Sequence, residues 1–218
     1  MLPNRVNRFP NSPSVPFRVF PWPQRVLDMR KFDPTQAQKL DSAERSTWNN
    51  PHEFVAAADI APGSRVAEIG CGTGWFTFEL EKAVRPRGII YALDMQPAML
   101  QILRAKRENW ERILTLPCGE NTFELDEGEV DAVFHANVLH ECAEPETHLR
   151  EVHRVLKSGG QLVLIEWHWA DEESQPGPPN TVRLETGDVE ELVRNAGFEI
   201  KETTDVGPYH YLVRAVKK

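Results

Sequence analysis

The chain has 218 residues and a formal net charge of −8, and this length suits one domain with a full core, with or without an added arm. The acidic balance argues against a nucleic-acid backbone as the main partner, because that partner requires a basic surface. No apolar stretch approaches the length of a membrane span. The three cysteines, Cys71, Cys118 and Cys142, lack zinc-ligand spacing and indicate a reduced, cytoplasmic protein. The sequence leaves the oligomeric state open.

The start of the chain divides into two segments of different character. Residues 1–27 carry several arginines and prolines and no acidic residue, and the proline density prevents the amphipathic helix of an organelle transit peptide. We therefore expect an extended N-terminal arm over 1–27. Residues 28–61 are polar and helical in pattern, with Pro34 and Pro51 as helix starts, and residues 62–218 form the remaining domain.

Strand and helix patterns alternate along the rest of the chain, which predicts an α/β fold with a parallel sheet covered by helices on both faces. Strands are expected at 65–69, 89–93, 112–116, 130–135 and 161–168, and helices at 75–84, 96–109, 145–156 and 187–196. The last two strands, 198–204 and 209–216, are joined at Gly207-Pro208. A connection this tight requires an antiparallel pair.

A glycine-rich turn follows the first predicted strand. Glu68 precedes the run Gly70-Cys71-Gly72-Thr73-Gly74, and Asp94 ends the second predicted strand. Such glycines let a flat ligand lie against the main chain, and a carboxylate in the second position can accept hydrogen bonds from ribose hydroxyls. The third glycine comes one residue early for a dinucleotide fingerprint, with Trp75 where the last glycine belongs. This spacing opposes an NAD-type oxidoreductase.

Five stretches in the expected order resemble the class I S-adenosylmethionine (SAM) dependent methyltransferases, above all the small-molecule branch of ubiquinone and menaquinone biosynthesis. They are EIGCGTG at 68–74, ALDMQPAML at 92–100, the turn at 117–121, VDAVFHANVLHE at 130–141 and RVLKSGGQLVLIEWH at 154–168. The resemblance implies a Rossmann-like, doubly wound seven-stranded sheet of order 3-2-1-4-5-7-6 with strand 7 antiparallel. It also implies that residues 28–61 form a cap over the cofactor mouth and that the protein transfers a methyl group to a small molecule.

The resemblance also assigns roles to residues at the carboxyl edge of the sheet, where ligands of such folds bind. The glycines and Glu68 would hold the methionine part of SAM, Asp94 the ribose, Met95 the adenine face and Glu120 the adenine amino group. The full set of expected cofactor-binding residues is Glu68, Gly70, Cys71, Gly72, Gly74, Asp94, Met95, Gly119, Glu120, Asn121 and Asn137. Helix capping for Asp94, loop bracing for Glu68 and plain surface for Glu120 remain open alternatives.

The acceptor side is less defined by the sequence. His140 and Glu141 follow the fourth strand and are the candidate catalytic pair, needed only where the acceptor must lose a proton; the alternative is that His140 braces the loop. Four further residues at the same edge are candidates to line the acceptor pocket: Glu166, His168, Tyr209 and His210. The loop 170–182 is acidic and rich in proline and glycine, and it can cover the acceptor mouth.

Several other interpretations stay open. The protein can be a SAM-binding relative without catalytic activity, or a protein methyltransferase that docks its substrate on the loop 170–182 and the arm. A metal site built from His140, Cys142, His168 and His210 is a minor alternative, and we expect no metal. The remaining histidines, His52, His148 and His153, lie in helical or arm segments and are expected at the surface.

Overall fold

The computed structural model describes residues 32–106, 111–172 and 175–218. Within them seven strands form one sheet: β1 (Arg65–Ile69), β2 (Ile89–Asp94), β3 (Ile113–Pro117), β4 (Val130–Ala136), β5 (Leu156–Trp167), β6 (Phe198–Val206) and β7 (His210–Lys217). The strand order is β3-β2-β1-β4-β5-β7-β6. β1 runs parallel to β2 and β4, whereas β7 is antiparallel to β5 and β6. The predicted fold class and strand order are confirmed.

Five α-helices and three 3-10 helices accompany the described sheet: α1 (Pro51–Ala58), α2 (Thr77–Ala83), α3 (Pro97–Ala105), α4 (Pro145–Val155), α5 (Thr186–Asn195), and the 3-10 helices Pro34–Asp41, Ala43–Thr47 and Leu139–Glu141. The expected helix starts at Pro34 and Pro51 are confirmed. No helix among these residues is both long and apolar enough to cross a bilayer. The predicted arm at 1–27 lies outside the described residues, and the boundaries of arm, cap and main domain stay predictions.

Apolar side chains are buried on both faces of the sheet, as the alternation of strands and helices predicts. One cluster packs the sheet against α4 and α5 through Leu149, Val152 and Val189. The other packs it against α1, α2 and α3, with Phe54 and Leu80 fully buried. The sheet is therefore held on both sides, and the loops after its parallel strands project from one rigid edge.

Candidate active site

Three left-handed glycines shape the loop after β1. Gly70, Gly72 and Gly74 have φ of +69°, +53° and +92°, a region that side chains other than glycine rarely adopt. A Cβ on Gly70 would lie 2.3 Å from the Val138 side chain, so only glycine fits there. At Gly72 the nearest atom belongs to Leu40 of the first 3-10 helix, at 3.5 Å. The loop is thus tightly packed against Val138 and more loosely packed against the first 3-10 helix.

Asp94 fixes this loop from the end of β2. Its two carboxylate oxygens accept hydrogen bonds from the backbone N–H groups of Gly72 and Gln96, each at 2.8 Å. Burial raises the pKa of Asp94, and the two backbone hydrogen bonds oppose that shift. Each oxygen keeps a further lone pair, so the carboxylate can also accept from ligand hydroxyls. The next residue, Met95, exposes 39% of its surface at the same edge.

Glu68 is a buried acid at the end of β1. Only 2% of its surface is exposed, and it accepts a hydrogen bond from the Thr77 hydroxyl at 2.5 Å. Burial raises the pKa of Glu68 to about 8, the Thr77 hydrogen bond opposes the rise, and Asp94 adds to it. A cationic group bound beside Glu68 would favour its ionised form, so the position suits an ammonium ligand. Thr77 as its partner was not predicted from the sequence.

Unpartnered amide atoms lie in the loops after β3 and β4. Asn137 follows β4 with a φ of +60°, and both polar atoms of its side chain are buried without a hydrogen-bond partner. The Oδ1 atom of Asn121 is likewise buried without a hydrogen-bond partner. Glu120, expected at the adenine, accepts a hydrogen bond from the backbone N–H of Ala143 at 2.8 Å and so links two loops of this edge. Gly119 closes the turn by donating to the Thr122 carbonyl at 2.9 Å.

The two candidate catalytic residues lie in different surroundings. His140 is 5% exposed, and its Nδ1 lies 2.7 Å from a carboxylate oxygen of Glu166. Glu166 is fully buried, so it is not an open wall of the acceptor pocket but the partner of His140. Burial raises the pKa of Glu141 to about 7, while His140 and a backbone hydrogen bond from Phe32 oppose the rise. The Glu141 carboxylate therefore accepts a hydrogen bond from the backbone of Phe32, at the start of the described chain.

The cap segment, defined as residues 32–50, crosses the glycine loop. The side chain of Gln96 donates to the Phe32 carbonyl at 2.9 Å. Further along, Asp41 accepts from the Thr73 hydroxyl at 2.8 Å and from Lys106 Nζ at 2.7 Å. These contacts hold the segment against the loop after β1 and the segment after β2. The sequence did not indicate Asp41, because its partners lie more than thirty residues away.

The cap segment also carries buried polar groups towards the acceptor side. The Trp75 indole donates to the Asn49 carbonyl at 2.9 Å. The Asn49 side chain is fully buried, and neither of its amide atoms has a hydrogen-bond partner. The guanidinium of Arg45 lies over the Trp75 ring at 4.8 Å, and burial lowers the pKa of Arg45 to about 10. The cap segment thus contains a buried cation, which donates to the Leu40 carbonyl at 2.8 Å, and a buried amide.

His210 lies inside an aromatic cluster rather than on an open wall. It is fully buried, with its ring centroid 4.0 Å from that of Trp167 and 5.0 Å from that of Phe54. The ring of Trp48, in the cap segment, stacks on the His210 ring, and the two ring centroids are 6.4 Å apart. Burial lowers the pKa of His210 to about 3, with a smaller effect from Arg45, and neither ring nitrogen has a hydrogen-bond partner. The His210 imidazole is therefore neutral and lies beneath the cap segment.

The other two candidate acceptor residues, His168 and Tyr209, line an open cavity of about 360 Å³. Arg183 forms one side of it and donates to the carbonyls of Pro178, His168 and Pro176 at 2.6–2.8 Å. Asn180 closes the loop by exchanging two hydrogen bonds with the backbone of Ala170. These bonds fix the described part of the loop 170–182 as a wall. The expectation that this loop covers the acceptor mouth stays a prediction.

Two further histidines meet below the edge. Nε2 of His135 on β4 lies 2.9 Å from Nε2 of His148 on α4, and Nδ1 of His148 donates to the Glu120 carbonyl at 2.5 Å. His148 is 2% exposed, so its predicted surface position is wrong, whereas His52 is exposed and His153 half-buried. Across residues 32–106, 111–172 and 175–218, no group of three or more acidic, histidine or cysteine side chains is arranged to hold a metal.

A comparison with known protein families now bears on this geometry. Residues 67–164 match the model of the methyltransferase domain family. They span the glycine loop, the acid after β2 and the loop after β4 described above. The chain therefore carries a methyltransferase domain, as the resemblance to the class I S-adenosylmethionine-dependent methyltransferases predicted. The predicted family is confirmed.

Relatives and solved structures agree with this methyltransferase assignment. The chain is 35% identical over 106 residues to the demethylmenaquinone methyltransferase of Lactococcus lactis, covering 48% of this chain and 42% of that protein. A 37.1 kDa protein of a Streptomyces fradiae transposon is 34% identical over 138 residues, 62% of this chain and 40% of that protein. The chain thus spans about half the length, or less, of these curated relatives. The crystal structure of a SAM-dependent methyltransferase from Aquifex aeolicus superposes with a TM-score of 0.81 at 29% identity, covering 86% of this chain and all of the other.

The residues of this methyltransferase fit the cofactor that its family uses. The left-handed backbone of Gly72 lets a ligand approach the main chain without a side chain in the way. The buried acid Glu68 suits the ammonium group of SAM, and the spare lone pairs of Asp94 suit its ribose hydroxyls. The Asn137 amide, buried without a partner, offers a donor and an acceptor on the facing wall.

Proposed function

We propose that the protein transfers a methyl group from SAM to a small-molecule acceptor by in-line displacement. The observation that carries this proposal is the left-handed glycine loop held by Asp94, with the buried acid Glu68 behind it and the unpartnered Asn137 amide opposite. When bound, SAM supplies a methyl group activated by a sulfonium. The chain's contribution is to align that group with the acceptor and to exclude water.

Each cofactor residue has a defined task in this proposal. Glu68 binds the ammonium group, Asp94 binds the ribose hydroxyls and Asn137 binds the methionine part. The cap segment closes over the site through Asp41, which accepts from Thr73 of the glycine loop, and through Phe32, which accepts from Gln96 after β2. A site closed in this way keeps water from the reacting sulfonium.

A small acceptor is supported by the size of the acceptor side. The cavity beside His168 and Tyr209 measures about 360 Å³, within the range of about 300–1,000 Å³ that small-molecule pockets occupy. The relatives from Lactococcus lactis and Stenotrophomonas maltophilia are named as quinone-biosynthesis methyltransferases. Their names support a small-molecule acceptor.

Calorimetric titration of the purified full chain with SAM, its demethylated product SAH, and NAD tests the proposal. We expect the chain to bind SAM and SAH but not NAD. The Asp94→Ala variant should bind SAM about ten- to a hundredfold more weakly, because a hydrogen bond to a charged group contributes about 1.5–3 kcal/mol. Asp126→Ala is the matched control, since Asp126 is an exposed acid in a surface loop.

The alternatives predict different results in the same experiment. Binding of NAD without SAM would identify an oxidoreductase and overturn the proposal. Binding of SAM without methyl transfer to any small acceptor would indicate a non-catalytic relative. Transfer of label from SAM to proteins, and not to small molecules, would indicate a protein methyltransferase.

A further inference from the structure

Arg183 is a buried arginine that lines the acceptor-side cavity of about 360 Å³. Only 7% of its surface is exposed, and its guanidinium lies over the Trp167 ring at 5.3 Å. Three backbone carbonyls accept hydrogen bonds from it: Nε donates to Pro178 at 2.8 Å, Nη1 to His168 at 2.6 Å and Nη2 to Pro176 at 2.8 Å. The guanidinium is therefore fixed in position by the protein's own backbone.

The positive charge of Arg183 is not balanced by an acidic side chain. Burial lowers the pKa of Arg45, another buried arginine, to about 10, and the Asp41 carboxylate opposes that shift. Burial also lowers the pKa of Arg183, but no carboxylate within residues 32–106, 111–172 and 175–218 opposes it. The three carbonyls carry partial charges only. A buried cation without a counter-charge is unfavourable, so this position suits an anionic group of a ligand.

The guanidinium keeps two N–H groups for such an anion. Arginine has five N–H donors in a planar fork, and three of them bind the carbonyls named above. One donor therefore remains on each of the two terminal nitrogens. Two donors on a planar cation match the two oxygens of a carboxylate.

Other walls of the cavity indicate a flat, apolar body for the ligand. Trp169 contributes an indole that is 58% exposed, and Tyr209 contributes a half-buried phenol ring. Aromatic side chains favour aromatic partners through offset stacking and edge-to-face contacts. An aromatic ring that carries a carboxylate would suit both the cation and these two side chains.

Acidic groups beside the cavity limit the charge that it accepts. Asp171 lines the same cavity and is exposed, and Asp205 forms an ion pair with His168 at 2.8 Å. A phosphate ester carries up to about two negative charges, and Asp171 would repel the second. A single carboxylate instead matches the single charge of Arg183. The surroundings therefore favour a carboxylate over a phosphate.

We propose that Arg183 is a specificity-determining residue of the acceptor site and that the acceptor is an aromatic compound with a carboxylate. This inference rests on the methyl transfer proposed above, because it concerns the cavity assigned there to the acceptor. Arg183 binds the carboxylate, and Trp169 and Tyr209 pack against the ring. The carboxylate anchors the acceptor and takes no part in the displacement.

The competing explanation is that Arg183 only clamps the loop that it belongs to. Benzoate and benzamide distinguish the two explanations, since both have a flat ring and only benzoate is charged. We would titrate both, together with phenyl phosphate and the cation benzamidine, into nitrogen-15-labelled full chain with and without saturating SAH. The indole N–H signal of Trp169, assigned from a Trp169→Phe variant, reports binding in this cavity.

In the wild type we expect benzoate to shift the Trp169 signal and to bind about ten- to a hundredfold more tightly than benzamide, because its contact with Arg183 is charge-assisted. Benzamidine should not bind, and phenyl phosphate should bind more weakly than benzoate. Equal binding of benzoate and benzamide, or an unshifted Trp169 signal, would overturn the proposal without any variant of Arg183. Tighter binding of phenyl phosphate would overturn the choice of a carboxylate.

Two positions test the charge argument directly. In Arg183→Gln the preference for benzoate over benzamide should disappear, whereas Arg183→Lys keeps the charge and should retain part of it. Asp171→Asn leaves the Arg183 hydrogen bonds in place and should strengthen benzoate binding by up to about fivefold, with benzamide unchanged. Arg150→Gln and Asp126→Asn are the matched controls, since both residues are exposed outside the cavity. An unchanged preference in Arg183→Gln would overturn the role of Arg183.

Methyl transfer from labelled SAM tests the acceptor class itself. The panel is 4-hydroxybenzoate, 4-aminobenzoate and 4-mercaptobenzoate, each beside its neutral amide, so that oxygen, nitrogen and sulfur acceptors are all offered. We expect a higher kcat/KM for the acid than for the amide in wild type, and no such difference in Arg183→Gln. Preference for an amide, or transfer to none of the acids, would overturn the acceptor class. Failure to bind SAM would contradict the proposed function instead, and calorimetry detects this separately.

Discussion

The cofactor half and the acceptor half of the carboxyl edge are built in different ways. On the cofactor half, one short loop presents its backbone to the site, and Asp94 holds it through the N–H of Gly72. On the acceptor half, side chains from distant parts of the chain meet, as Glu166 and His140 do. The first half is encoded by a contiguous motif, whereas the second exists only once the sheet, the loop after β4 and the cap segment are assembled.

The largest expected effect tests whether the cofactor half depends on its backbone. In Gly70→Ala the alanine must adopt a φ of +69°, and its Cβ would lie 2.3 Å from the Val138 side chain. Backbone strain of about 1–3 kcal/mol and overpacking of about 1–3 kcal/mol should add to a loss of about 2–6 kcal/mol in the free energy of unfolding. Urea unfolding measures this loss, and calorimetry should show that SAM binding is abolished.

Gly63→Ala provides the matched control for this prediction. Gly63 has a φ of +87°, but nothing lies within 4 Å of a Cβ placed there. Backbone strain alone should lower the free energy of unfolding of this variant by about 1–3 kcal/mol. The variant should bind SAM normally. Equal losses in the two variants would show that close packing of the glycine loop is unimportant.

The sequence predicted the fold and the positions of the glycine loop and Asp94 well, because these features are local in the chain. Each strand is an apolar run bounded by turn residues, and alternation with helices leaves few topologies for a parallel sheet. The loop glycines of 70–74 and Asp94 are likewise recognised within a stretch of about 25 residues. The structure places all of them at the expected edge.

The second prediction concerns the buried histidine pair of His135 and His148. Burial lowers the pKa of both, so the unfolded chain binds protons that the folded chain does not. Their contribution to stability is present above the ordinary histidine pKa of 6.5 and is lost as the pH falls below it. The expected loss is up to about 1.4 kcal/mol per pH unit for each histidine.

Urea unfolding between about pH 7.5 and 5 measures this slope. A His135→Leu/His148→Leu double variant should show a flatter dependence on pH, whatever its absolute stability. His52→Leu removes an exposed histidine and should leave the slope unchanged. A double variant as steep as the wild type would assign the acid sensitivity to other groups.

Two buried positions escaped prediction, each for a different physical reason. For His148 a signal existed, since it lies four residues before Val152 and seven before Val155, on the buried face of α4. For Glu166 no local signal exists, because its partner is chosen by the register of β5 beside β4. The sequence placed Glu166 at the correct edge and gave it an open position, whereas assembly of the sheet buries it.

The smallest expected effect tests the connection between the two halves through the cap. Asp41 joins the cap segment to Thr73 and Lys106, and the side chains of Lys106 and Asp41 are about one-third exposed. Partly exposed ion pairs of this kind contribute about 0.2–1 kcal/mol, so Asp41→Asn should hardly change global unfolding. It should instead speed hydrogen exchange of the cap backbone by up to about fivefold.

Arg150→Gln breaks only a surface pair with Glu146 and should leave cap exchange unchanged. If Asp41→Asn also leaves it unchanged, Gln96 and Glu141 hold the cap without Asp41. The cap would then be held by the contacts of Phe32, Trp48 and Asn49.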